Sequence, residues 1–251
     1  MRRFFISKEQ SEMAEQGSVL LTGSDVNHVV NVLRMGPGDE LVLSATSGWE
    51  YRCVIRRIEG QTVVCDVLQA NRNQTEPKIG VTLLQGIPKG EKMELIIQKG
   101  VELGVTEIIP VSMERTVVRF HTPKDAEKKQ NRWQKISEEA SKQCGRGFCP
   151  EIGAVQSLKE TIFRLPEDTL PLVAYENETV FSLKQRIQTA KSAGNLHHIT
   201  VLIGPEGGIA PSEYALVCDN GFLSVSLGKR ILRTETAGLC VLSALRYEFE
   251  D

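Results

Sequence analysis

No apolar run in this chain of 251 residues approaches the length needed to cross a membrane, and its first residues hold no apolar stretch of signal-peptide type. A soluble cytoplasmic protein with no membrane partner is therefore expected. The six cysteines (Cys53, Cys65, Cys144, Cys149, Cys218, Cys240) form no C-x-x-C and share no ligand spacing with the four histidines, so no metal site is expected. Several of them sit inside apolar runs, where a thiol acts as a small hydrophobe, and this fits a reducing compartment. An excess of one charge is also missing: the formal net charge is -2, and nothing global announces a nucleic-acid binder. Neither G-x-x-x-x-G-K-[ST] nor G-x-G-x-x-G occurs, which excludes a phosphate loop and a dinucleotide fingerprint. No internal repeat or low-complexity tract is visible.

With 41% apolar residues, the chain can build one large domain or two smaller ones. The first seventy or so residues read as short strands (19–21, 41–43, 51–58, 62–68) and suggest a small barrel. A helix over 25–34 interrupts them, capped by Ser24 or Asp25. The polar run 69–79 with its proline is the best linker, so the domains are expected at 1–73 and 74–251. After it, strands at 81–87, 106–111, 170–175, 199–203 and 222–227 alternate with helices at 91–103, 124–143, 181–193, 211–219 and 235–249. That order implies an α/β domain with parallel strands. The last helix is apolar nearly all round, which suits burial on several sides, including against a second subunit near Leu239 or Leu242.

Two segments carry most of the chemistry: Gly204-Pro205-Glu206-Gly207-Gly208 after an apolar run, and Leu227-Gly228 leading to Ile231-Leu232-Arg233-Thr234-Glu235-Thr236-Ala237. Glycine turns let main chain lie close to a ligand, and two of them suggest a pocket walled by backbone. An ordinary strand–turn–helix junction remains the alternative on spacing alone. From Arg115 to Arg146 nine Lys/Arg face four acids, a local excess of +5. This is either a solvated helix face or a strip for RNA phosphates.

Taken in order, six groups of residues resemble one family. They are Asn27–Arg34; Lys92-Met93-Glu94; Gln98-Lys99 with Glu102–Val105; Glu139-Ala140 with Gln143 and Arg146; the 204–208 turn; and the 227–237 segment. The chain is similar along its whole length to the bacterial 16S ribosomal RNA uridine-N3 methyltransferases, the RsmE family of the SPOUT superfamily. The resemblance implies an N-terminal PUA-like β-barrel that helps hold RNA. It also implies a C-terminal SPOUT α/β domain with a trefoil knot, S-adenosylmethionine as cofactor, and a homodimer. The implied substrate is a uridine near the 3′ end of 16S rRNA, within the 30S subunit.

Three loops carry over as the cofactor site. Leu172, Ala174, Tyr175 and Glu176 form the first; Ile203, Gly204, Pro205, Glu206 and Gly207 the second; Leu227, Gly228, Ile231, Leu232, Thr236 and Ala237 the third. Leu227, Ile231 and Leu232 are either apolar walls for adenine or ordinary core. Uracil N3 must lose its imide proton to attack, and Arg233 sits in the right motif to favour the anion; a salt bridge to Glu235 or Glu206 is its structural alternative. Glu206 is a candidate base or, better, the organiser of its own turn. His197 and His198 read as surface residues. RNA contacts are expected from Arg2, Arg3, His28 and Arg34 in the barrel and from Arg115, Arg119, Lys142 and Arg146 in the second domain.

Two other functions compete. SPOUT ribose 2′-O-methyltransferases carry an Asn–Gly–Arg element where this chain has Gln85-Gly86-Ile87-Pro88-Lys89-Gly90-Glu91-Lys92, which favours base methylation. A non-catalytic ribosome-assembly protein would not need two glycine turns of this kind.

Overall fold

The computed structural model describes residues 2–250 apart from Glu167 and Asn195. Contacts divide it into two compact units: Met1–Glu76 with Ser141–Cys149, and Pro77–Ala140 with Pro150–Asp251. The cut expected after residue 73 thus moves to 76/77, and the segment 141–149 joins the first unit. The reason is local. Glu76 accepts two hydrogen bonds from the Arg146 guanidinium and one from the Gly147 amide, and Thr75 Oγ1 donates to the Gly145 carbonyl.

The first unit contains β1 (Arg2–Ile6), α1 (Lys8–Glu15), β2 (Ser18–Thr22), α2 (Ser24–Asn27), β3 (Glu40–Ala45), β4 (Trp49–Glu59) and β5 (Thr62–Arg72). Its sheet runs β1-β3-β4-β5-β2, parallel at β1–β3 and antiparallel elsewhere. Phe4, Leu21, Leu43, Tyr51 and Cys65 come one from each strand and meet in a single core. β5 extends four residues into the expected linker, pairing Gln69–Arg72 with Trp49–Arg52; the extension is exposed, so no apolar alternation betrays it. The expected helix 25–34 is different in kind. After one α turn it widens into a π turn at His28–Val32, and Arg34 follows with φ +55°, the left-handed region that L residues disfavour. Its N-cap is Gly23, with no side-chain cap, rather than Ser24 or Asp25.

The second unit contains β6 (Gly80–Gly86), α3 (Lys92–Glu102), β7 (Glu107–Ser112), α4 (Pro123–Cys144, whose last turn groups with the first unit), β8 (Glu151–Ile152), β9 (Gln156–Ser157), α5 (Leu158–Ile162), β10 (Thr169–Ala174), α6 (Leu183–Ala193), β11 (His198–Ile203), α7 (Pro211–Asp219), β12 (Leu223–Val225) and α8 (Thr234–Phe249). All strand pairs are parallel, in the order β12-β10-β11-β6-β7-β8, with β9 also on β7. β11 lies between β6 and β10, so Gln85 pairs in register with Ile203, and Ala174 with Val225. The carboxyl ends of β6, β10, β11 and β12 therefore share one edge, where open parallel sheets bind ligands.

His198 is not a surface residue: it starts β11, half-buried, with its ring nitrogens on the hydroxyls of Thr82 and Thr169. Burial lowers its pKa from the usual histidine value, against the opposing pull of Glu107 and Asp168.

Candidate functional site

At the shared strand edge the second unit holds a cavity of about 550 Å³. Two close approaches shape it. A Cβ placed on Gly86 would stand 2.6 Å from the Pro205 nitrogen, so β6 can end against the 204–208 turn only with glycine there. Gly208 has φ +73°, and a Cβ on it would lie 2.6 Å from Glu176 Oε1. Glycine at 86 lets β6 pack main chain against the main chain of the 204–208 turn, and glycine at 208 leaves room for the Glu176 carboxylate.

The turn is tied down by side chains from distant elements. Thr234, at the start of α8, donates to the Gly204 carbonyl at 2.7 Å and accepts from Gln85 Nε2 at 2.9 Å. Arg115 donates to the Gly207 carbonyl at 2.9 Å. Glu206 Oε1 accepts from the Lys89 amide at 3.0 Å and from Lys92 Nζ at 2.9 Å. Partial burial pushes the Glu206 carboxyl up, but the Lys92 hydrogen bond, the Glu206 and Lys89 amides and the Lys92 charge bring it below the ordinary carboxylate value. Lys92 is raised mainly by its bond to Glu206, with a smaller contribution from Glu235, whose Oε2 lies 3.5 Å away.

Most of the expected cofactor residues meet here. Ala174, Tyr175, Glu176, Ile203, Gly204, Pro205, Glu206, Gly207, Leu227, Gly228, Ile231, Leu232 and Ala237 line the cavity, together with Arg233. Leu172 does not: it lies fully buried within β10. Thr236 does not either; it is exposed on α8. Ile231 is 87% exposed, so it is a rim residue rather than a closed wall. The Arg233 side chain is 82% exposed and reaches Glu235 only at 4.0 Å. Lys92, Ile209 and Ser226 line the cavity from outside the expected segments, and Gly208, Lys229, Arg230 and Thr234 line it from within or beside them without having been singled out as cofactor residues. Lys92 stood in a quoted motif but far from the glycine turns in sequence; only the register of β6 beside β11 brings it close.

The expected RNA residues separate by environment. Arg2, Arg34, Arg115 and Arg119 are exposed. Arg3 is paired with Glu50 and Ser44. His28 packs edge-on against Phe4. Lys142 lies 3.8 Å from Asp25 and over the Phe4 ring. Arg146, expected as a surface cation of the second domain, is a buried residue of the first unit: its side chain is 4% exposed and clasps Glu76. It serves the fold, because a buried guanidinium needs its partner.

Among the described residues no helix is long and apolar enough to cross a membrane, and no cluster of His, Cys, Asp or Glu is arranged to hold a metal ion.

Residues 75–246 match the model of an RNA methyltransferase domain, and residues 21–68 that of an RNA methyltransferase PUA domain. The chain is 35% identical, over 100% of its length and 98% of the relative's, to the ribosomal RNA small subunit methyltransferase E of Bacillus subtilis. A ribosomal RNA small subunit methyltransferase E from Neisseria gonorrhoeae, solved bound to S-adenosyl methionine, superposes with a TM-score of 0.85 at 32% identity, covering 99% of this chain and 98% of that one. A Legionella pneumophila protein solved with the same cofactor superposes with a TM-score of 0.79 at 30% identity, covering 99% and 98%. The PUA-type first unit, the parallel sheet and the full-length likeness agree, and the chain belongs to the RNA methyltransferase family of the ribosomal small-subunit methyltransferase E type.

Proposed function

We propose that this chain transfers a methyl group from S-adenosylmethionine to N3 of one uridine near the 3′ end of 16S rRNA, on the 30S subunit. The observation that carries the reading is the cavity itself: main-chain turns at the carboxyl ends of parallel strands, with charged side chains in its lining. The residues fit the cofactor. The backbone of 174–176, 203–208 and 226–228 offers amides and carbonyls to its polar groups, and Leu227 and Leu232 offer apolar surface to a purine. When bound, S-adenosylmethionine supplies an electrophilic methyl group on sulfur.

The chain's own residues have the remaining tasks. Thr234 and Gln85 fix the Gly204 carbonyl, so the turn is held by the chain's own hydrogen bonds. Glu206, lowered in pKa and engaged with Lys89 and Lys92, is a weak base; its part is to hold the turn. Arg233, nearly free in solvent, steers an anionic strand toward the mouth. Arg2, Arg34 and Arg119 meet phosphates. The missing Asn–Gly–Arg element favours a base over a ribose hydroxyl as acceptor.

The reading extends to assembly and threading. The protein acts in the cytoplasm as a homodimer, supported by the exposed Ile231, Cys240 and Tyr247 beside or on α8; Leu242 is already used inside its own core, which leaves Leu239 as the nearer interface residue. Light scattering should give a mass near twice 27.9 kDa. The segment 204–237 is threaded as a trefoil knot, supported by β11 inserted between β6 and β10 and by the tie from Thr234 back to Gly204. The deciding experiment is nuclease digestion and mass spectrometry of 16S rRNA from 30S particles treated with the protein and cofactor. N3-methyluridine is expected; methyl on ribose or on carbon 5 overturns the assignment.

A further inference from the structure

The rim of the cavity carries a cation that the glycine turns do not account for. Lys92 opens α3, lines the cavity and is about one-third exposed. An ammonium has three N–H donors. Glu206 Oε1 takes one at 2.9 Å, while Glu235 Oε2 stands 3.5 Å away and accepts no hydrogen bond. Donors therefore remain for a ligand oxygen. The two carboxylates keep the group protonated and hold it in place from opposite elements, the 204–208 turn and α8. The other charged groups on the lining are Glu176, Lys229, Arg230 and Arg233. Arg233 is far more exposed than Lys92, and a charge in bulk solvent acts weakly on a reacting atom.

The acceptor's chemistry states what such a cation can do. Uracil N3 lies between two carbonyls, and the negative charge left by its proton spreads onto both oxygens. A fixed donor at either oxygen orients N3 and stabilises the anion at once. We propose that Lys92 is a catalytic residue that donates a hydrogen bond to a uracil carbonyl beside N3, with Glu206 and Glu235 as its positioning residues. The proposal rests on the uridine reading above. In the step it assists, the imide proton leaves to solvent, the N3 electron pair forms the N–CH3 bond, and the S–CH3 bond breaks with its electrons left on sulfur. Cytosine presents an amino group where uracil has O4, so an ammonium that meets O4 also disfavours the wrong base.

The test compares wild type, Lys92→Gln and Lys92→Arg. Single-turnover methyl transfer to 30S particles is followed across pH at saturating cofactor. Binding of S-adenosylmethionine and of S-adenosylhomocysteine is measured separately by calorimetry. Lys92→Gln should slow transfer about a hundredfold near neutral pH, and the deficit should narrow as pH rises and the imide ionises unaided. Lys92→Arg should recover part of the rate, and both cofactor affinities should stay unchanged. A deficit independent of pH, or one matched by lost cofactor affinity, overturns the Lys92 assignment while wild-type transfer stands. Absence of transfer by the wild type overturns both readings.

Discussion

In the five-stranded sheet the charged side chains find one another. Arg52 of β4 meets Glu40 of β3 and Arg56 of β4 meets Asp66 of β5, each across an antiparallel pair, and Arg3 of β1 reaches Glu50 of β4; outside the sheet, Arg146 is buried on Glu76. In the parallel sheet they converge instead beyond the strand ends: Lys92, Glu176, Glu206 and Arg233 line a cavity, with Glu235 3.5 Å from Lys92. The difference follows from geometry. Antiparallel neighbours place side chains opposite one another along the whole ladder, so cross-strand pairs form everywhere. Parallel strands bring all their carboxyl-end turns to a single edge, so polar groups gather there.

The contrast can be broken most forcefully at Gly86. Gly86→Val drives a side chain into the backbone of Gly204 and Pro205 and should abolish cofactor binding by calorimetry. A destabilisation of about 3 kcal/mol is expected. Each unit holds one tryptophan, Trp49 in the first and Trp133 in the second, so single-tryptophan backgrounds report them separately. The Trp133 midpoint in urea should fall more than the Trp49 midpoint. Arg146→Met reverses the pattern: it strands Glu76, should cost about 3 kcal/mol, should lower the Trp49 midpoint more, and should leave cofactor affinity alone. If it instead weakens cofactor binding, the division of labour between the units is wrong.

Smaller effects sharpen the comparison. Thr234→Val removes the tie to Gly204 and one partner of Gln85; a loss of about 1–2 kcal/mol and a weaker cofactor isotherm are expected. His198 gives a pH signature. Burial holds its folded pKa below the ordinary histidine value of 6.5, so the folded state binds fewer protons than the unfolded one. Stability should therefore be full above that value and fall as pH drops through it. His198→Gln should flatten urea midpoints between pH 7 and 5 relative to wild type; equal slopes would remove His198 as the cause. The mildest test uses thiols. Burial pushes Cys53 up to about 12 and Cys65 to about 11, whereas Cys240 is exposed on α8. Alkylation at pH 8 should spare Cys53 and Cys65 until the chain unfolds, and should label Cys240 only at dilutions where the homodimer no longer covers α8.

Most strands and helices of the second unit were legible because they are periodic segments, and 211–219 is a helix to the residue; the two-residue strands β8 and β9 were not. Elements without such periodicity were not. The strand Arg2–Ile6 and helix Lys8–Glu15 escaped, although Ser7 and Gln10 form the capping box that announces the helix. The same signature at Ser157 and Glu160 marks the equally unforeseen short helix Leu158–Ile162. At the site, the glycine turns were readable as local chemistry. Lys92 and Gln85 were not assigned to it, since their roles depend on which strand lies beside which. Arg146 failed for a related reason: charge count cannot tell a surface cation from one buried on a glutamate.

The tie between Thr234 and the Gly204 carbonyl also sets a clock. Lys92 and Gly86 leave the ribosome roughly 140 residues or more before Thr234, which completes the cavity. At about 5–20 residues per second, the wait is on the order of ten seconds. A nascent chain halted before Thr234 would carry every glycine of the 204–208 turn and still lack the residue that holds it, so each new copy of this protein gains its pocket only after Thr234 has emerged.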